Sequence, residues 1–167
     1  MPLRARAFIT LVVIGGCAVA VWRISAGGFD VGHPGVFAVL VAVWIVLAAN
    51  PTGVPLGREV RDIDLEEPLL ACAAFLLPPP GLILVMLPGG IAQNLRRSRS
   101  RVKSAFNVGM LLGTTAIGTM VIEALGSPMR HGVSARTVAA VVAGTATVAL
   151  LAHVAVFAVV VLVGGAG

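Results

Sequence analysis

Apolar residues run along this chain in six blocks, each closed by charge or by turn-forming residues. The blocks predict helices over 7–26, 36–49, 66–77, 81–95, 104–125 and 137–163. The first follows Arg4 and Arg6 and ends beside Trp22 and Arg23, an interfacial pair. It also resembles a signal peptide, with "AVA" at 18–20, but the apolar run continues through Val21 and Trp22 with no polar region before that cut. "GGFDVGHPG" connects to the second block, and "NPTGVPLG" ends it. "REVRDIDLEE" is the one acidic cluster; its alternation fits a short strand or an extended segment lying against a membrane. "RRSRSRVK" precedes the fifth block and "GSPMRHGVS" the last. The last is long enough to span with tilt or to project beyond a bilayer.

The third and fourth blocks pose a problem of direction. "AAFLLPPPGLILVMLPGG" is apolar on both sides of Pro78, Pro79 and Pro80. The 28 residues between Glu67 and Arg96 reach about 42 Å as one helix, which slightly favours a single pass. Charge argues for a return. With the N-terminus cytoplasmic, a single pass places Arg96, Arg97, Arg99, Arg101 and Lys103 outside, and Lys and Arg divide six against six. A hairpin keeps that cluster inside and divides them nine against three (Arg23, Arg130, Arg136), as the positive-inside rule prefers. Three prolines followed by Gly81 also make a sharp stop and restart. The reading is an all-α integral membrane protein: one polytopic domain over 1–167, a six-segment helical bundle with a short Pro-marked hairpin of segments 3 and 4. A kink is expected at Pro88. Multi-pass insertion in a bacterial-type inner membrane with both termini cytoplasmic follows.

Composition agrees with that class. The 167 residues are 58% hydrophobic and 11% charged, against about 25% charged in soluble domains. The net charge of +5 sits at the ends of apolar blocks without interleaved aromatics, which excludes nucleic acid as a partner. Cys17 and Cys72 lie inside apolar blocks and read as small buried hydrophobes.

No catalytic, metal or cofactor motif is present, so no enzymatic activity is expected. His33 and His131 read as solvated loop histidines. His153 lies within the last block, where an ionisable group ordinarily faces the bundle interior and finds a partner. Asn107 has an amide able to hold two helices together or to cap the fifth helix. Glu66 and Glu67 precede Pro68 at a helix start, where carboxylates suit the dipole. Glu67, Asn107 and His153 are the ligand-binding candidates. Glu123 reads as interfacial. The basic cluster Arg96, Arg97, Arg99, Arg101 and Lys103 is placed for lipid headgroups or a partner protein. Gly109 with Gly113, and Ala140 with Gly144, have the small-residue spacing that lets membrane helices approach closely, within one chain or between two.

The stretch "VPLGREVRDIDLEEPLLACAAFLLPPPGLILVMLPGGIAQNLRRSRSRVKSAFNVG" resembles the membrane-sensor region N-terminal to GGDEF, EAL or HD-type cyclic-dinucleotide signalling proteins of actinobacteria. The matching elements are the polar stretch from Pro55 to Asp64, the helix Leu69 to Leu77, the turn Pro78 to Gly81, the basic loop Arg96 to Lys103, and Phe106–Asn107. Three prolines stand where that family has a Gly-Pro pair. The resemblance implies signal input, in a sensory domain cut from a longer protein or in a free-standing relative. The expected function is a sensory or regulatory module relaying a signal through its last helix to a cytoplasmic output domain or partner protein. Membrane lipids are expected partners, and a homodimer is open to it. A looser similarity to the substrate-binding subunits of energy-coupling-factor transporters gives the alternative of a small-molecule-binding transport subunit; a structural membrane protein is the third reading.

Overall fold

The computed structural model of the chain describes residues 1–49, 52–56, 59–63, 66–96 and 100–164. Helix α1 (Leu3–Gly27) ends at Gly28, whose φ of 74° is the left-handed conformation that glycine adopts at no steric cost. A connector follows in which the Gly32 amide donates to Asp30 Oδ1 at 2.8 Å, and α2 (Pro34–Ala49) opens on a proline that needs no donor there. The polar stretch beyond it forms an antiparallel pair, β1 (Thr52–Leu56) with β2 (Glu59–Ile63), in the register Val54 opposite Arg61. Apart from this hairpin and the connectors, the described residues are helical: α3 (Glu66–Ala73), α4 (Pro79–Arg96), α5 (Arg101–Gly126), one turn of α6 (Pro128–His131), and α7 (Ala135–Gly164).

Among the described residues, three stretches are long and apolar enough to cross a membrane: Leu3–Gly27, Arg101–His131 and Ala135–Gly164. At 1.5 Å per residue α2 reaches only about 24 Å and α4 about 27 Å, short of a hydrocarbon core of about 30 Å.

The three prolines divide differently from the expectation. Helix α3 ends at Ala73 and the chain continues to Leu77 through turns, with the Leu77 amide on the Ala73 carbonyl at 2.8 Å. Pro79 and Pro80 then form the first turn of α4 instead of lying before it. A first-turn residue has no intrahelical N–H bond to lose, so the stop and the restart share the same prolines. Pro88 lies inside α4, and the helix runs on through it.

Contacts along the helices fix their directions. Val13 meets Gly109, Gly16 meets Gly113 and Arg23 meets Glu123, so α1 and α5 run parallel. Gly118 meets Gly144 and Arg136 reaches the Leu125 carbonyl, so α7 runs back along α5. Asn94 bonds Asn107 while Gly90 meets Leu111, so α4 also opposes α5. The start of α1, the end of α4, the start of α5 and the end of α7 therefore share one end of the molecule. The proline turn lies at the other end beneath the α1–α2 connector: Gly27 against Pro80, Gly32 against Pro78, and the Val31 backbone against Gly81.

The core has two parts. One joins Leu40 and Trp44 to Leu70, Leu77, Met86 and Val141; Trp44, 2% exposed, packs against Gly89, where a Cβ would collide with the indole. The other joins Ala20, Ile24, Ile83, Leu112 and Ala116.

Candidate functional site

Helix α5 touches its neighbours through glycine on two sides. Gly109 and Gly113 face α1: a Cβ on Gly113 would fall 2.6 Å from Gly16 Cα, and one on Gly109 would fall 2.7 Å from Val13 Cα. Gly118 faces α7, where a Cβ would fall 3.0 Å from the Gly144 carbonyl oxygen. Nine residues at about 100° each set Gly118 half a turn round from Gly109. Helix α5 therefore lies between α1 and α7, at backbone distance from both. Ala140 is buried one turn before Gly144.

Each end of α5 also has a polar link. At the basic end the buried Asn94, 7% exposed, donates from Nδ2 to the Gly90 carbonyl at 2.7 Å, and its Oδ1 accepts from Asn107 Nδ2 at 3.1 Å. A carboxamide can be donor and acceptor at once, so Asn94 bonds its own helix and α5 together. At the other end Arg23 of α1 is paired with Glu123 of α5. Their side chains are 14% and 30% exposed, and the Arg23 Nε is buried with no hydrogen-bond partner among the described residues. Arg130 lies near enough for its charge to act on Arg23. The Thr115 hydroxyl, buried at mid-helix, also has no hydrogen-bond partner among the described residues.

The helix ends are capped locally. Ser100 Oγ accepts from the Lys103 amide at 3.4 Å at the start of α5. Ser134 and Thr137 bond each other's amides before α7, at 2.8 and 3.3 Å, a reciprocal box. Arg136 Nε donates to the last-turn carbonyl of Leu125 at 2.7 Å.

Beside the Asn94–Asn107 link an open groove of about 560 Å³ runs between α4 and α5, lined by Ile91, Asn94, Leu95, Arg101, Ser104, Ala105 and Val108. Compared with known protein families, curated proteins and solved structures, the chain matches none. The groove and the two links thus stand on their own chemistry.

The structure does not gather the three ligand candidates. Asn107 is half-buried and bonded to Asn94. His153 is exposed and does not face the interior; its Nδ1 is 2.7 Å from the Ala149 carbonyl oxygen one turn earlier on its own helix. Glu67 lies on α3, its side chain outside the described residues. In the basic cluster Arg101 and Lys103 are exposed in the first turn of α5. Arg96 ends α4 with its side chain outside the described residues, as are Arg97 and Arg99 altogether. Sequence reasoning missed Asn94, a polar residue thirteen positions before Asn107. It also missed that Arg23 and Glu123, each read as interfacial, are partners 100 residues apart.

Proposed function

We propose that the chain is a sensory or regulatory membrane module: a six-segment bundle with both ends at the cytoplasmic face, relaying a signal through α7. The observation that carries this reading is the contact of α5 with α7 at Gly118 and Gly144. The two backbones meet there with Val148 of α7 over Gly118 and Ile122 of α5 over Gly144, so a shift of α5 cannot be absorbed by slack between the helices and is passed on to α7. Beyond Val148 no described residue of α7 is buried, and Leu150, Val154, Phe157 and Val160 stand exposed. That half presents an apolar face suited to lipid. The end that it approaches also has Arg4, Arg6, Arg101 and Lys103, the distribution expected of a cytoplasmic face. The resemblance of residues 54–109 to the membrane-sensor regions of cyclic-dinucleotide signalling proteins supports the same class.

A fusion tests the relay. A cytoplasmic reporter enzyme is joined after Gly167, and Gly118→Leu is compared with Val142→Leu, a change on an exposed face of α7. The reading expects the wedge at Gly118 to shift reporter output several-fold while Val142→Leu leaves it unchanged. Equal output from the two variants would overturn it.

A further inference from the structure

We propose that the groove between the end of α4 and the start of α5 binds one anionic phospholipid. Its lining changes character along its length in the order that a lipid does. Ile91 and Val108, farthest from the basic end, make an apolar inner part, and Leu95 and Ala105 carry apolar surface on towards the mouth. Arg101 and Ser104 stand at the mouth, in the first turn of α5. Asn94 lies between these zones; its bond to Gly90 uses one of two amide N–H donors. Phosphate at Arg101 and Ser104, an ester carbonyl at the level of Asn94 and an acyl chain along Ile91 and Val108 match the three zones in sequence.

Charge selects an anionic headgroup. Arg101 and Lys103 stand in the first turn of α5, which contains no acidic residue, and the positive end of the helix dipole adds to them. Ile91 and Leu95 are exposed apolar residues on α4, which a water-filled anion site would leave wetted and an acyl chain covers. The assignment rests on the proposed membrane embedding with the basic end at an interface, but not on α7 relaying a signal.

The full chain, purified in mild detergent, is incubated with equal amounts of phosphatidylglycerol and phosphatidylcholine and examined by native mass spectrometry. Preferential retention of one phosphatidylglycerol is expected. Arg101→Gln should reduce that preference roughly five-fold, the worth of one cation near a membrane surface, while Arg130→Gln at the opposite end leaves it unchanged. Ala105→Phe fills the groove from an exposed position without removing charge and should abolish retention; it serves as the test if Arg101→Gln does not fold. Equal retention of both lipids, or unchanged phosphatidylglycerol binding in Arg101→Gln or in Ala105→Phe, would overturn the assignment. Reporter output in the fusion is read independently, so failure of the lipid site and failure of the relay are distinct results.

Discussion

Helix α5 is held at one end by a neutral pair and at the other by a charged one. Asn94 and Asn107 exchange a hydrogen bond between dipoles. Losing Asn107 leaves a neutral acceptor, Asn94 Oδ1, while Asn94 Nδ2 keeps its bond to the Gly90 carbonyl. Arg23 and Glu123 are charges in a partly buried setting. Losing the carboxylate leaves a guanidinium whose Nε already has no hydrogen-bond partner among the described residues. The two links therefore do different work: the ion pair fixes α1 to α5, while the carboxamides tolerate adjustment beside the groove. That asymmetry suits the proposed module, adjustable at one end and fixed at the other.

Glu123→Gln should cost most, about 3 kcal/mol, because it leaves the partly buried Arg23 charge without its counter-ion; unfolding in graded denaturing detergent measures it. A loss no larger than that of Asn107→Leu would erase the contrast between the two ends. Gly113→Leu comes next at about 2 kcal/mol, since a side chain there must displace the α1 backbone at Gly16. Its cost should exceed that of the same change at Gly15, where nothing lies within 4 Å of an added Cβ. Asn107→Leu should cost about 1 kcal/mol, the scale of one hydrogen bond between membrane helices. His153→Leu should change stability by less than about 0.5 kcal/mol, because the imidazole bonds only its own helix and is exposed.

What could be read in advance divides along the same line. The apolar blocks announce the helices because burial in lipid or protein demands a run of that length. Asn107 was legible because an amide among apolar residues requires a partner. Its partner was not, since Asn94 adjoins the basic loop and reads as part of a polar flank. His153 misled because a helix can satisfy an imidazole with its own carbonyl one turn back. The Arg23–Glu123 pair leaves no trace in local pattern; only the parallel packing of α1 on α5, set by Gly16 against Gly113, brings those residues to one level. The proline triplet signalled a reversal, yet two of its members open α4, because a first helical turn does not need the donor that proline lacks.

The return of the chain at Pro78–Pro80 places the basic start of α5 beside the start of α1, and every functional statement above depends on it. Single cysteines at Leu3, Lys103 and Val133, each exposed, in a background with Cys17 and Cys72 replaced by alanine, can be labelled with a membrane-impermeant thiol reagent. Intact cells and inverted membrane vesicles give the two sides. Leu3→Cys and Lys103→Cys should react only from the cytoplasmic side and Val133→Cys only from the other. Labelling of Leu3→Cys and Lys103→Cys from opposite sides would contradict the account.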